Sequence, residues 1–177
     1  PVLLTPTKEM PQSVLDEIER LDAKHAYIVG GAVAVSAMVE DQLFDVLSGS
    51  IQRLAGADRY ATSRAVANKV IELSGDAYSG MACVATGLNY PDALAAAPLA
   101  AGLEWPILLA NPKTGEVAVP AATSGVAILG GPAAISAAIE TSLKTDLGSE
   151  EVTRVGGATR YETAAKVAAY GVDNGLM

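Results

Sequence analysis

The chain has 177 residues, a length typical of one domain or two small ones, and its formal net charge of −8 argues against nucleic acid as a partner. Hydrophobic residues make up 50% of the sequence but aromatic residues only 5%, which predicts a folded core of Ala, Val, Ile and Leu. A single cysteine and a single histidine exclude an internal disulfide and any metal site that needs two residues of either type.

Short apolar segments alternate with amphipathic segments along the chain. Apolar runs without alternation are typical of strands buried on both faces of a parallel sheet, whereas apolar residues at helical spacing predict helices. In chain order, the predicted elements are a strand at Val2–Leu4, a helix at Pro11–Leu21, a strand at Tyr27–Val29, helices at Ser36–Leu47 and Arg59–Leu73, a strand at Ala82–Ala85, a helix at Asp92–Leu103, strands at Ile107–Leu109 and Ala127–Leu129, and a helix at Ser136–Leu143. This order predicts an α/β layer fold with a mainly parallel sheet.

The predicted helix Asp92–Leu103 is apolar on all sides. Such a helix is expected to be buried on most sides, between two layers or two domains, and Pro98 is expected to kink it or divide it. The longest apolar stretch, Ala93–Ala110, is interrupted by two prolines, a glycine and a glutamate. We therefore predict no insertion into a membrane.

Three segments of the sequence recur about 100 residues further along the chain. The motif at 27–36 returns at 127–136, the motif at 53–62 returns at 154–163, and Pro1–Leu4 returns as Pro106–Leu109. This predicts a tandem repeat of about 100 residues. We predict that residues 1–50 are the C-terminal half of one repeat, 51–149 a complete repeat and 150–177 the start of a third, so that the chain is a slice of a longer protein with at least three repeats.

The two copies differ before the Gly-Gly motif. Between Leu4 and Gly30 lie 25 residues, but only 20 lie between Leu109 and Gly130. The shorter stretch has no capped helical pattern at 116–125. We therefore expect the helix Pro11–Leu21 to be missing, or reduced to one turn, in the second copy.

Each copy has a Gly-Gly pair at the end of a strand and a serine about five residues later. The glycines are Gly30, Gly31, Gly130 and Gly131, and the serines are Ser36 and Ser136. Bare N–H groups at a helix N-terminus can cradle phosphate, but the dinucleotide fingerprint and the P-loop motif are both absent. The glycines are therefore predicted to form strand-to-helix turns, with the serines as helix caps.

The segment Thr86–Asp92 follows a predicted strand and opens a helix, which is the usual position of a ligand loop in an α/β sheet. Asn89 and Asp92 are candidate ligand contacts. Helix capping is the alternative explanation, because Pro91 suits the first helical turn and Asp92 complements the helix dipole.

An Arg-Tyr pair occurs in both copies, with a further arginine upstream. The residues are Arg53, Arg59, Tyr60, Arg154, Arg160 and Tyr161. Arginine can hold a carboxylate or phosphate through two hydrogen bonds, and tyrosine can stack on a sugar ring. These residues are therefore candidate ligand contacts, and internal ion pairs or contacts between neighbouring repeats are the alternatives.

Four motifs together resemble the cell-wall-binding type 2 repeat (CWB2) of Gram-positive surface proteins, and the resemblance covers nearly the whole chain. The motifs are Arg-x-x-Gly-x-Asp-Arg-Tyr-x-Thr at 53–62, Asn-Tyr-Pro-Asp-Ala-Leu-Ala-Ala-Ala-Pro-Leu-Ala-Ala at 89–101, Pro-Ile-Leu-Leu at 106–109 and Ile-Leu-Gly-Gly-Pro-x-Ala-x-Ser at 128–136. In this family three tandem repeats, each a Rossmann-like or Toprim-like three-layer α/β unit, pack around a pseudo-threefold axis.

The resemblance implies a non-catalytic module that anchors a surface protein non-covalently to an anionic secondary polysaccharide of the cell wall. It implies an extracellular location at the wall of a Gram-positive bacterium. Because the chain holds fewer than two complete repeats, we predict self-association or packing against further repeats of the parent protein. The sequence contains no nucleophile-elbow or catalytic-triad motif, so we predict no catalytic residue and no cofactor. The alternatives are a structural or oligomerisation spacer without affinity for glycan, and a nucleotide-binding α/β enzyme.

Overall fold

The computed structural model describes residues 1–175, which form an α/β fold divided into two compact units. Unit 1 is Pro1–Asp58 and unit 2 is Arg59–Met177, and each contains its own hydrophobic core. Among the described residues, no helix is both long and apolar enough to cross a membrane. The predicted repeat boundaries near residues 50 and 150 stay a prediction, because the division at Asp58 follows packing rather than sequence periodicity.

Unit 1 packs two helices against a pair of parallel strands. Its elements are α1 (Gln12–Arg20), β1 (His25–Val29), α2 (Ala37–Val46) and β2 (Ser50–Leu54). Its core combines residues of all these layers: Met10, Ile18, Ile28, Val39, Leu43 and Leu47. In α2 the buried residues Val39 and Leu43 recur at helical spacing and belong to this core, whereas Met38 and Phe44 of the same helix are exposed.

Unit 2 contains a five-stranded sheet that is parallel except at one edge. Its elements are α3 (Arg59–Ser74), a 3₁₀ turn (Gly75–Ala77), β3 (Met81–Thr86), α4 (Pro91–Gly102), β4 (Ile107–Asn111), β5 (Glu116–Val117), β6 (Gly125–Leu129), α5 (Ala137–Leu147), β7 (Val152–Val155) and α6 (Arg160–Asp173). The strand order is β5-β4-β3-β6-β7, and β5 alone is antiparallel to its neighbour. The predicted fold class, α/β with a mainly parallel sheet, is confirmed.

Alternate residues of the central strands enter two separate cores, one on each face of the sheet. Val84 and Ile128 pack in a cluster with Ile139 of α5, and Ala67 of α3 belongs to the same cluster. The neighbouring Cys83 and Leu129 face a second cluster that includes Leu99 of α4 and Val167 of α6. Unit 2 is therefore a three-layer structure with helices on both faces of the sheet.

The order of the strands places a crevice above the ends of β3 and β6. From β3 the chain crosses through α4 to β4 on one side, and it later returns to β6 on the other side of β3. Loops that leave in opposite directions from adjacent parallel strands open a crevice at their carboxyl ends. This crevice holds the candidate site.

Two different groups form hydrogen bonds with the outer edge of β4, which is the side away from β3. At Ala110 and Asn111 it pairs with β5. Nearer the start of the strand, the Ser63 hydroxyl donates to Ile107 O at 3.0 Å and accepts from Leu109 N at 3.0 Å. Ser63 thus bonds two backbone groups as an edge strand would.

Four of the five predicted strands are confirmed, and the first is wrong. Residues 2–4 form no strand, and the side chains of Val2 and Leu4 are 90% and 86% exposed. The counterpart Ile107–Leu109 is a strand because it pairs with β3, whereas the described residues place no strand beside Val2. The confirmed strand β1 is buried at Ile28 but exposed at Tyr27 and Val29, so its predicted burial on both faces is wrong.

The predicted helices all form, with ends that differ by a few residues, and α4 differs most in its environment. It is one continuous helix that contains Pro98, so the predicted division at this proline does not occur. Ala96, Leu99 and Ala100 are buried, but Leu94 is 66% exposed on the opposite side. The expectation of burial on most sides is therefore wrong within unit 2.

The second copy lacks a helix where the first copy has α1. The segment after β4 forms the short strand β5 and an irregular stretch that reaches β6. The prediction that the second copy loses this helix is confirmed. Strands β2 and β7, which carry Arg53 and Arg154, were not among the predicted elements.

Candidate functional site

A cleft of about 330 Å³ lies at the carboxyl end of the sheet in unit 2. Three loops form its walls: the β3–α4 loop with the first turn of α4, the β6–α5 loop near Gly131, and the β7–α6 loop with the first turn of α6. Pro112, which follows β4, closes one side. The cleft therefore occupies the crevice that the strand order creates.

The β3–α4 loop is held against the start of α3 by the first Arg-Tyr pair. The Arg59 guanidinium donates to Gly87 O at 2.7 Å. The ring of Tyr60 covers Gly87 so closely that a Cβ at this position would overlap it. Within the loop, Thr86 Oγ1 accepts from Leu88 N at 3.3 Å and Asn89 Oδ1 accepts from Tyr90 N at 3.0 Å. Arg59 and Tyr60 thus support the loop from one side.

The second Arg-Tyr pair lies on the other side of the same loop. Arg160, at the start of α6, and Thr163, one turn later, both interact with the carboxylate of Asp92. Burial raises the pKa of Asp92 above its ordinary value, although Arg160 and Thr163 act in the opposite direction. Tyr161 is 80% exposed and does not line the cleft.

Asp92 lies close to the glycine at position 130. Gly130 has a φ of +99°, which residues other than glycine rarely adopt. An ideal Cβ at this position would lie 2.5 Å from Asp92 Oδ2. The predicted turn after β6 therefore forms with Gly130, and a side chain at this position would have to displace the Asp92 carboxylate.

Side chains at the N-terminus of α6 accept hydrogen bonds from the backbone N–H groups there. Thr159 Oγ1 accepts from Glu162 N at 3.2 Å, and Glu162 Oε2 accepts from Ala158 N at 2.8 Å. Thr159 is thus the N-cap of α6, and Glu162 bonds the backbone of the residue before the cap. These bonds fix the backbone from which Arg160 and Thr163 project into the cleft.

Arg154 lies beneath the β6–α5 loop and is bonded within unit 2. Its Nη1 donates to Gly130 O at 2.8 Å, its Nη2 donates to Ile135 O at 3.1 Å, and its Nε donates to Glu140 at 2.8 Å. Glu140 also accepts from Lys144 at 2.7 Å. Hydrogen bonds from Lys144 and then Arg154 lower the pKa of Glu140.

Arg53 makes the same contacts in unit 1. Its Nη1 donates to Gly30 O at 2.8 Å and to Val35 O at 2.9 Å, and its Nη2 donates to Glu40 at 2.7 Å. Arg53 therefore lies at the Gly30-Gly31 turn of unit 1 and not at the cleft of unit 2. For Arg53 and Arg154, the internal ion pair that the sequence left open is present, and ligand contact stays a prediction.

The two serines of the Gly-Gly motifs behave differently. Ser136 Oγ accepts from Ile139 N at 3.4 Å and caps α5, as predicted. Ser36 precedes α2 but makes no side-chain cap, and its Oγ is buried without a partner among the described residues. The prediction that Ser36 caps its helix is wrong.

The structure thus brings together Arg59, Tyr60, Asn89, Asp92 and Arg160 around one loop, with Gly131 on the facing wall. Sequence analysis did not single out Thr86, Thr159 and Thr163, which also line the cleft. A signal for Thr163 was present, because the repeated Arg-Tyr motif carries a threonine at Thr62 and Thr163. Among the described residues, no group of three or more His, Cys, Asp or Glu could hold a metal ion.

Residues 53–140 match the family Cell wall binding domain 2 (CWB2). The chain belongs to the CWB2 family. The matched residues of this CWB2 chain include the β3–α4 loop and the Gly130-Gly131 turn, whereas Arg154, Arg160 and Tyr161 follow the matched range. The resemblance noted in the sequence is confirmed.

Two curated proteins of Bacillus subtilis (strain 168) are similar to this CWB2 chain. An amidase enhancer is 32% identical over 168 residues, which are 94% of this chain and 22% of that protein. The N-acetylmuramoyl-L-alanine amidase LytC is 31% identical over 172 residues, which are 94% of this chain and 32% of that protein. The chain therefore spans less than a third of the length of either relative.

Solved structures of two Clostridium difficile proteins are also similar. Cwp8 is 28% identical with a TM-score of 0.78, and the similarity covers 94% of this chain and 28% of that one. Cwp6 is 26% identical with a TM-score of 0.79, and the similarity covers 98% of this chain and 28% of that one. Both likenesses extend over unit 1 and unit 2.

Proposed function

We propose that this CWB2 chain anchors a surface protein non-covalently to the wall of a Gram-positive bacterium by binding an anionic secondary wall polysaccharide in the cleft of unit 2. The observation that carries the proposal is the position of the β3–α4 loop. This loop belongs to the region matched to the cell-wall-binding family, and it forms one wall of the cleft beside Arg160.

The cleft offers both charge and hydrogen bonds to an anionic sugar chain. Arg160 is exposed and can hold a phosphate or carboxylate through two hydrogen bonds. Thr86, Thr159 and Asn89 can bond sugar hydroxyls. The charged residues of the lining are Asp92 and Arg160, so the local charge is balanced within a chain of net charge −8. Binding of an anion should therefore be moderate and should weaken with salt.

Attachment, rather than catalysis, is the activity that we propose for this chain. The residues that line the cleft include no Ser, Cys or His that could act as a nucleophile with its base. The amidase and the amidase enhancer suggest a parent protein that works with or as a wall amidase, with this chain as its binding part. The amidase reaction itself is assigned here to the remainder of such a parent.

A structural spacer is the second candidate, because α4 exposes an apolar surface in unit 2. Leu94 is 66% exposed, and Ala97, Pro98 and Ala101 of the same helix are also exposed. Burial of this surface against further repeats of the parent protein would assemble the protein without any affinity for glycan. This candidate predicts self-association without binding to walls.

Sedimentation with purified cell walls tests the proposal. The chain should bind native walls and lose binding after acid extraction of the secondary polymers. Arg160→Ala should weaken binding by about tenfold or more, since a hydrogen bond to a charged group is lost. Arg20→Ala is the matched control, because Arg20 is an exposed arginine of unit 1 paired with Glu17.

Each other outcome has a definite meaning. Equal binding to native and extracted walls would indicate peptidoglycan and refute the anionic polysaccharide. Equal losses for Arg160→Ala and Arg20→Ala would indicate a general charge effect and remove the cleft from the proposal. Absence of binding, with concentration-dependent self-association in light scattering, would favour the spacer.

A further inference from the structure

An arginine holds the loop after the Gly-Gly strand end in both units. Arg154 and Arg53 each bond the carbonyl of the first glycine, the carbonyl five residues later and a glutamate of the following helix. The two loops differ in sequence: Gly-Gly-Ala-Val-Ala-Val at 30–35 and Gly-Gly-Pro-Ala-Ala-Ile at 130–135. The same contacts on different loops show that the arginine serves the shape of the loop.

The loop held by Arg154 is a wall of the cleft. Gly131, Ala133 and Ala134 line the cleft, and they lie between the two carbonyls that Arg154 bonds. Inside the loop, Ala134 N and Ile135 N both donate to Gly131 O, at 2.9 and 3.1 Å. The guanidinium therefore bonds both ends of a tight turn whose middle lines the cleft.

The charge of Arg154 is balanced by Glu140 within unit 2. The Arg154 side chain is 17% exposed and forms an ion pair with Glu140 at 2.7 Å. Its three nitrogens all have acceptors inside the unit. Arg160, by contrast, is exposed at the rim of the cleft.

We propose that Arg154 is a positioning residue of the ligand cleft: it fixes the 130–135 loop as a wall of the cleft and contributes no charge to the ligand. This inference rests on the proposed function for the identity of the ligand, but its effect on the loop can be measured without ligand. Lysine cannot replace Arg154, because an ammonium lacks the planar fork that bonds two carbonyls and a carboxylate together.

Hydrogen exchange of the whole chain measures the effect on the loop. Arg154→Lys should speed exchange of the Ala134 and Ile135 amides by about tenfold or more, while the amides of β3 and β6 keep their protection. Arg53→Lys is the matched variant, and it should act on Ala34 and Val35 instead. Unchanged exchange at Ala134 and Ile135 would overturn the proposal. Loss of protection in β3 and β6 would also overturn it, because Arg154 would then stabilise unit 2 as a whole.

Wall binding at several salt concentrations separates positioning from direct contact. Arg154→Lys should weaken binding by about tenfold while the dependence of binding on salt stays that of the unchanged chain, since no charge that meets the ligand is lost. Arg160→Ala should reduce the salt dependence. Full binding by Arg154→Lys, or a reduced salt dependence in Arg154→Ala, would overturn the proposal. If the unchanged chain binds no walls, the proposed function fails and hydrogen exchange still decides the role of Arg154.

Discussion

Replacement of Gly130 by alanine should destabilise unit 2 for two separable reasons. The first is the backbone, because Gly130 has a φ of +99° and an L residue in such a conformation costs about 1 to 2 kcal/mol. The second is space, because the new Cβ would lie 2.5 Å from Asp92 Oδ2 and 3.1 Å from Ala134 Cβ. Overpacking of this kind costs about 1 to 3 kcal/mol. The total loss in the free energy of unfolding should be about 2 to 5 kcal/mol.

A double-mutant cycle with Asp92→Ala isolates the contribution of the contact. In the Asp92→Ala background the carboxylate is gone, whereas the backbone strain and the 3.1 Å approach to Ala134 Cβ remain, so Gly130→Ala should cost about 1 to 3 kcal/mol less than in the unchanged chain. The interaction free energy should therefore be about 1 to 3 kcal/mol. Gly115→Ala is the control for strain alone, because Gly115 has a φ of +78° and no other atom would lie within 4 Å of its Cβ.

Urea unfolding followed by the fluorescence of Trp105 is a suitable assay. Trp105 is the single tryptophan of the sequence, and it is 8% exposed in the core of unit 2. Its indole Nε1 donates to Ser79 Oγ at 2.9 Å, so its emission should change when the unit unfolds. An interaction free energy below about 0.5 kcal/mol between Gly130→Ala and Asp92→Ala would refute the argument that Asp92 requires a glycine at this position.

Three further predictions concern titration and packing. Because the pKa of Asp92 is raised, the folded state favours its protonated form, so stability should fall as the pH rises through the folded pKa, and Asp92→Asn should remove this fall in urea titrations above about pH 4. The pKa of Glu140 is lowered, so its contribution should be complete above the ordinary carboxyl pKa of about 4 and disappear at lower pH; Glu140→Gln should flatten the acid side of the stability profile. Ile128 is fully buried, and Ile128→Ala should cost about 2 to 5 kcal/mol in urea unfolding, whereas a cost below about 1 kcal/mol would contradict the assigned core.

Sequence analysis identified the strands that consist of an unbroken apolar run and the helices whose apolar residues recur at helical spacing. Strands β3 and β6 are buried at nearly every residue, so an unbroken apolar run in the sequence predicts each of them. Strands β2 and β7 contain exposed positions and an arginine. These residues interrupt the apolar run, so the sequence did not predict either strand. The wrong prediction of a strand at Val2–Leu4 has a different cause. The apolar composition of this segment favours a strand, but no strand among the described residues pairs with it.

The candidate site could be predicted in part for a similar reason. The Thr86–Asp92 loop follows a strand, and Asn89 and Asp92 line the cleft, where the rule that ligand loops leave the carboxyl ends of parallel strands expects them; ligand contact by either residue stays a prediction. The different fates of Arg160 and Arg154 could not be predicted, because both occur in the same repeated motif. The contacts of Arg154 depend on carbonyls more than fifteen residues away in sequence, which only the folded chain brings near it.

The hydrogen bonds of Ser63 bear on how the sheet edge at β4 can meet another molecule. An unpaired strand edge is a template on which the sheet of another molecule can grow. By bonding Ile107 O and Leu109 N, the Ser63 hydroxyl removes two of the groups that such a growing sheet would need, and β5 removes others at Ala110 and Asn111. A single hydroxyl from a neighbouring helix thus limits strand addition at β4, and Ser63→Ala should leave Ile107 O and Leu109 N without this partner.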